Sequence, residues 1–66
     1  MTTYTVKISG PLFTTTREVR ATSARNAAIE AGYAASDLVP VGTETNDHAE
    51  YKSSFIPRIT VTVKES

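Results

Sequence analysis

Cysteine is absent from this chain of 66 residues, so neither a disulfide framework nor a thiolate metal site can add to its stability. A chain of this length buries only about 60% of the surface that its unfolded form exposes. Its apolar residues, 39% of the total, must therefore form one small core. We expect a single domain over residues 1–66, and self-association stays open as a further source of stability.

An excess of one charge and a long apolar run are also missing. Seven basic residues balance seven acidic ones, which argues against a protein that binds nucleic acid strongly by itself. The first ten residues, MTTYTVKISG, lack the apolar segment of a signal peptide, and no run reaches membrane-spanning length. These features predict a cytoplasmic protein with no membrane partner.

Residues that carry catalytic chemistry are scarce. His48 is the only histidine, and the nearby acidic residues Glu44, Asp47 and Glu50 match no metal-ligand spacing. Serine and threonine are plentiful, but none occurs in a motif that would activate a nucleophile. The three glycines are scattered, so the sequence contains no glycine-rich phosphate-binding loop. We therefore expect a protein that is not an enzyme and that has no cofactor and no bound metal.

The clearest positive signal is a change of periodicity within residues 15–35. Alternation with a period of two predicts a strand from about Thr14 to Ala21, and the spacing lengthens towards that of a helix after Ser23. The alanines on one helical stripe are Ala24, Ala27, Ala28, Ala31 and Ala35. They predict a helix from about Ala24 to Ala35 that lies close to a sheet, with an earlier end if Gly32 acts as its C-terminal cap.

Alternating apolar residues predict one strand before this unit and one after it. The first strand ends at Gly10-Pro11, and the last runs from Phe55 to Lys64, with a proline near its start. Residues 36–42 are expected to form a turn or a short strand, and residues 43–54 a polar surface loop or an elaborated hairpin. The predicted fold class is α+β: a small β-β-α-β domain with an antiparallel sheet and one helix packed on one face.

The strand alternation assigns residues to the two faces of this sheet. Those expected to face the helix are Tyr4, Val6, Ile8, Val19, Ala21, Ile59 and Val61. The opposite face then carries Lys7, Glu18, Arg20, Arg58, Thr60, Thr62 and Lys64, which include four of the seven basic residues. Such a pattern is typical of an ordinary solvated face, and it also fits a docking surface for an acidic partner.

Two tyrosines are further candidates for partner contacts, because tyrosine is enriched at interfaces. Tyr33 lies off the alanine stripe and Tyr51 lies in the polar segment, so both are expected to be partly exposed. Phe13 and Phe55 are instead expected in the core at strand ends.

The segment EVRATSARNAAIEAGYA, followed by a final strand, resembles the architecture of small bacteriophage inhibitors of host nucleic-acid machines. These include compact anti-CRISPR proteins and short inhibitors of host RNA polymerase. The resemblance covers most of the chain as a pattern, shares no diagnostic motif and carries over no site residues. It implies a non-catalytic protein that binds a host protein or ribonucleoprotein complex in the host cytoplasm. An anti-CRISPR that blocks a CRISPR effector is the first expectation, and an inhibitor of host RNA polymerase is the second.

Two alternatives come from the residues themselves. One is a nucleic-acid-binding accessory protein that uses the basic sheet face, although this face lacks the base-stacking aromatic residues of RNA-binding sheets. The other is a phage structural or assembly protein whose exposed strand edge pairs with another copy, which leaves a homodimer open.

Overall fold

In the part of the chain that the structure describes, the fold consists of five strands and one α-helix. The computed structural model describes residues 1–32, 35–56 and 58–66, and at Ala35 it describes the backbone only. The expectations for Tyr33 and for the proline at position 57 lie outside the described residues. The strands are β1 (Thr2–Ser9), β2 (Thr14–Ala21), β3 (Leu38–Pro40), β4 (His48–Ser53) and β5 (Thr60–Glu65). The helix α1 spans Ala24–Glu30, and a short 3₁₀ helix spans Ala35–Asp37.

All neighbouring strands are antiparallel, in the order β2-β1-β5-β4-β3. The β1–β2 hairpin leads into α1, which packs across one face of the sheet and carries the chain to the far edge at β3. Strands β4 and β5 then return to the centre, where β5 pairs with β1. The α+β class is therefore confirmed, with an antiparallel sheet and one helix, whereas the predicted order β-β-α-β omits β3 and β4.

Local sequence signals define both ends of α1. The Ser23 side chain accepts a hydrogen bond from the backbone N–H of Asn26 at 3.2 Å, which satisfies one unpaired donor of the first turn. At the other end Gly32 has φ +114°, a left-handed conformation that glycine adopts without a Cβ clash. The helix therefore ends before Gly32 rather than at Ala35. Arg17 of β2 donates a hydrogen bond to the carbonyl of Ala31 at 3.2 Å and places a cation at the negative end of the helix.

The core lies between α1 and the helix-facing side of the sheet. Six of the seven residues predicted to face the helix are buried, and Val19 is half-buried, so this prediction is confirmed. On the helix, Ala24, Ala27, Ala28 and Ala31 are buried as the stripe predicted. A helix of seven residues is marginal by itself in water, so this close alanine-mediated packing stabilises it.

The structure decides one open expectation and corrects two others. Of the two alternatives expected for residues 43–54, the structure has the hairpin, because residues 48–53 form β4, which pairs with β3 and β5 and packs Ala49 and Tyr51 into the core. The last strand begins at Thr60 and not at Phe55, since Arg58 has φ +73° and interrupts the extended backbone. Phe13 and Phe55 are exposed rather than buried, because both lie beyond the last paired residues of their strands.

Candidate functional site

Three of the predicted contact residues lie together on the face of the sheet opposite α1, which we call the open face. Lys7 pairs with Thr62 and Lys64 pairs with Thr5, so the two lysines are diagonal neighbours on the central strands β1 and β5. Arg20 is exposed on the same face, at the edge strand β2. Arg58 precedes β5 in a turn and is not part of the strand array.

Acidic and basic side chains are mixed on the open face. Lys52 of β4, which the sequence analysis did not assign to this face, joins it opposite Thr60. Glu18 lies opposite Thr5 and Glu50 opposite Thr62, between the basic residues. Recognition of β4 from the alternation of Ala49 and Tyr51 would have identified Lys52. The mixture of charges is typical of a solvated antiparallel face.

Tyr51 lies on the other side of the sheet, and its predicted exposure is wrong. Its side chain is fully buried in β4, and its hydroxyl donates a hydrogen bond to the Glu44 carboxylate. The guanidinium of Arg25 lies 5.3 Å from the centre of the Tyr51 ring and pairs with Glu44 at 3.1 Å. This cluster of Arg25, Glu44 and Tyr51 joins α1, the segment before β4 and β4 itself. Because its side chain is enclosed, Tyr51 is a core residue and not a contact residue.

The ionisation of this cluster matches a structural role. Burial is the largest cause that raises the pKa of Tyr51, and the hydrogen bond to Glu44 is the second. The phenol therefore stays protonated and acts as a donor at neutral pH. The hydrogen bond from Tyr51, together with Arg25, lowers the pKa of Glu44 below its ordinary value of 4.5. The hydrogen bond between the neutral phenol and the ionised carboxylate, together with the ion pair to Arg25, stabilises the packing of α1 on β4.

The most unusual surface lies at one end of the sheet, where the β1–β2 and β4–β5 connections meet. We call it the hairpin end and define it by four apolar residues: Leu12, Phe13, Phe55 and Ile56. Their exposed fractions are 95%, 49%, 73% and 57%, in that order. So many large apolar side chains at one end of so small a protein are characteristic of an interaction site.

The packing of Gly10 demonstrates that the two connections are neighbours. A Cβ atom at Gly10 would lie 2.7 Å from Cε1 of Phe13 and 2.8 Å from Cδ1 of Ile59. The side chains of both residues therefore flank the same glycine, one from each connection. Any larger residue at Gly10 would displace them, so the glycine is required for this close approach.

The carboxylate of Asp37 fixes the β4–β5 connection. Its Oδ1 atom accepts hydrogen bonds from the Ser53 hydroxyl at 2.8 Å and from the amides of Ser54 and Phe55 at 2.9 and 3.1 Å. The Ser53 hydrogen bond and those amides lower the pKa of Asp37. Ser53 also accepts a hydrogen bond from the amide of Ile56. The side chains of Phe55 and Ile56 are therefore exposed to solvent on a backbone whose conformation is fixed by hydrogen bonds to Asp37 and Ser53.

Two basic residues belong to the β4–β5 hairpin that carries Phe55 and Ile56. Lys52 and Arg58 line a cleft of about 430 Å³ together with Ser53, Ile59 and Thr60. The left-handed conformation of Arg58 costs about 1–2 kcal/mol in a residue with a Cβ atom. Strain of this kind persists where the surrounding structure imposes it, and it is frequent at functional sites.

Sequence reasoning missed the hairpin end, although a signal for it exists. The pairs Leu12-Phe13 and Phe55-Ile56 each lie next to a proline, inside a segment that also carries turn residues. Successive residues of a strand point to opposite faces of the sheet, so two consecutive large apolar residues cannot both face the core. When the pair lies in a turn, neither residue belongs to a strand that would direct it into the core. Such pairs in turns predict exposed apolar tips.

Among the residues that the structure describes, no group of three or more histidine or acidic side chains is arranged to hold a metal ion. Within the same residues, no helix is long and apolar enough to cross a membrane. No protein-family model, curated protein or solved structure matches this chain significantly.

Proposed function

We propose that this protein is a non-catalytic binding protein that inserts its hairpin end into a complementary site on a protein partner. The observation that carries the proposal is the exposure of four large apolar side chains at the tips of two adjoining connections. Apolar side chains of this kind supply most of the binding energy when a partner removes them from water.

The geometry supports a preorganised interface. The hydrogen bonds to Asp37 hold the backbone around Phe55 in place before binding, so less conformational entropy is lost in the complex. Lys52, near the end of β4, and Arg58, in the β4–β5 connection, precede and follow Phe55 and Ile56 along the chain, which favours a partner with an apolar pocket and an acidic rim. In this proposal Leu12, Phe13, Phe55 and Ile56 form the apolar part of the contact in place of the buried Tyr51.

The resemblance to small phage inhibitors makes a CRISPR effector complex the first partner to test and bacterial RNA polymerase the second. The protein would then act in the host cytoplasm as a stoichiometric inhibitor. The charge balance of the open face favours binding to protein over binding to bare nucleic acid. The function as an anti-CRISPR is proposed from the resemblance, and the hairpin end is proposed from the structure.

The test uses purified CRISPR effector complexes loaded with guide RNA, and purified RNA polymerase, each assayed for binding and for inhibition. The double variant Phe55→Ser/Ile56→Ser removes two tips of the hairpin end. Val41→Ser is the matched control, because Val41 is also an exposed apolar residue but lies before β4. Lys7→Glu/Lys64→Glu reverses the charge at the centre of the open face.

We expect the hairpin-end variant to bind its partner at least about tenfold more weakly, since truncation of one interface anchor costs roughly 1–2 kcal/mol or more. The Val41 control and the charge-reversed variant should bind like the parent protein. If only the charge-reversed variant lost binding, the interface would lie on the open face and not at the hairpin end. Tight binding of the isolated protein to DNA or RNA at about 0.15 M salt would favour the nucleic-acid alternative.

A further inference from the structure

Strand β2 is a long edge of the sheet that is well suited to pairing. It has β1 on one side and is the first strand in the sheet order, and its eight residues, TTTREVRA, include no proline and no lysine. Residues Thr14 to Glu18 are all exposed. The opposite edge is β3, which has three residues and ends at Pro40. A short edge strand and a proline both disfavour the addition of another strand. The β3 edge is therefore protected against pairing with a second chain, whereas the β2 edge is not.

The hairpin geometry determines which backbone groups of β2 point outward. The amide of Gly10 donates to the carbonyl of Phe13 at 2.8 Å, and this pair continues the register in which Ser9 faces Thr14. Hydrogen-bonded and non-hydrogen-bonded pairs alternate along an antiparallel ladder, so the odd-numbered residues of β2 bond to β1. The residues whose N–H and C=O groups point away from β1 are Thr14, Thr16, Glu18 and Arg20.

A second copy of β2 can pair with these groups only in certain registers. In a continuous sheet made from two copies, a twofold axis perpendicular to the sheet relates the two antiparallel β2 strands. Residues that lie opposite each other across this axis must belong to the same face of the sheet. The register centred on Glu18 places two glutamates together, and those centred on Arg17 or Arg20 place two arginines together. Like charges directly opposite are destabilising, so these three registers are disfavoured.

The register centred on Val19 has complementary charges. It places Glu18 of each copy directly opposite Arg20 of the other, on the open face, so the dyad generates two attractive pairs. Both residues also have outward backbone groups, so the same pairs exchange hydrogen bonds. Val19, which is half-buried, meets Val19 of the second copy in a non-hydrogen-bonded pair, where side chains approach most closely.

We infer that two copies of this protein associate through their β2 edges, antiparallel and centred on Val19, so that their two five-stranded sheets become one continuous sheet. Ile29 of α1, which is exposed and lines the cleft between α1 and the end of β2, lies on the same side of the sheet as Val19. The partner copy is therefore added beside two incompletely buried apolar residues. This surface is distinct from the hairpin end, so the inference stands apart from the proposed function.

Charge exchange tests the register. Glu18→Arg places arginines opposite each other at both pairs, and Arg20→Glu places glutamates there, so each single variant should dimerise at least about tenfold more weakly. The double variant Glu18→Arg/Arg20→Glu restores both attractive pairs and should dimerise like the parent protein. Sedimentation equilibrium over a concentration series measures the dissociation constant in each case.

Mixing the two single variants gives the sharpest outcome. In a mixed pair, the arginine introduced at position 18 of one chain faces the glutamate introduced at position 20 of the other. The unchanged Arg20 of the first chain likewise faces the unchanged Glu18 of the second, so two chains that fail to self-associate should form a heterodimer. Titration of ¹⁵N-labelled Glu18→Arg protein with unlabelled Arg20→Glu protein should therefore shift the amide signals of β2. Lys64→Glu, an open-face change on the central strand β5, is the control and should leave the dimer unchanged.

The results that overturn the inference are equally direct. A parent protein that stays monomeric up to about 1 mM shows that the edge does not pair. Dimerisation that both single variants retain, or that the mixture of variants fails to restore, contradicts the register centred on Val19. Far-UV circular dichroism spectra that match the parent protein establish that each variant is folded, so that a lost dimer reports on the edge itself.

Discussion

Tyr51 provides the sharpest test of the fold, because the sequence predicts it on the surface and the structure buries it completely. Tyr51→Phe removes the hydroxyl that donates to the Glu44 carboxylate and keeps the ring. A hydrogen bond to a charged group contributes about 1.5–3 kcal/mol. Because the Glu44 side chain is 32% exposed, solvent screening lowers the expected loss towards about 1 kcal/mol.

Thermal unfolding followed by circular dichroism measures this loss. For a domain of this size, about 1 kcal/mol corresponds to a fall in Tm of roughly 4–8 °C. Tyr4→Phe is the matched comparison, since Tyr4 is also buried and its hydroxyl donates to the neutral carbonyl of Asn46 at 2.6 Å. We expect about 0.5–1.5 kcal/mol for that change.

The pH dependence separates the two variants. The pKa of Glu44 is lowered in the folded protein, so its ionised form stabilises the fold above its ordinary value of 4.5, and this contribution is lost as the pH falls through the lowered pKa. The difference between Tyr51→Phe and the parent protein should therefore narrow in acid. The effect of Tyr4→Phe should not depend on pH in this way, because its acceptor does not titrate.

Truncation of the whole ring gives the outcome that would refute the reasoning. Tyr51→Ala should cost about 3–5 kcal/mol, a large part of the roughly 3–10 kcal/mol expected for a chain of this length. If this variant kept the Tm of the parent protein, then Tyr51 would not be a core residue and β4 would not occupy its place in the sheet.

Two other predictions concern the helix packing and the hairpin end. Ala28→Leu should overpack the contact between α1 and the sheet and destabilise the protein by about 1–3 kcal/mol, whereas Glu30→Leu at an exposed helical position should have little effect on Tm. Asp37→Ala should speed hydrogen exchange at the Phe55 amide several-fold, because its acceptor is lost, while Asp47→Ala in another turn should not. Unchanged exchange at Phe55 would mean that Asp37 does not hold the connection.

The candidate site was only partly accessible to sequence reasoning. Strand alternation correctly placed Lys7, Arg20 and Lys64 on one face, because the period of two is a local property of extended backbone. Arg58 follows a proline in the sequence, and its left-handed backbone is a consequence of the turn that joins β4 to β5. The exposure of Phe55 depends on where that turn begins, which the alternation alone did not reveal.

By itself, the sequence determined the features whose physical cause lies within a few residues. The alternation of β1 and β2, the start of the helix after Ser23 and the buried alanines of its stripe all depend on local periodicity and on intrinsic backbone preferences, whereas the choice between a helix end near Gly32 and one at Ala35 was left open. Only the tertiary structure decided that the polar segment 48–53 is a strand, because pairing with β5 and packing against α1 supply the stability that its composition lacks. Tertiary structure likewise buried Tyr51 and left the hairpin end in solvent, since burial depends on which residues the register of distant strands encloses.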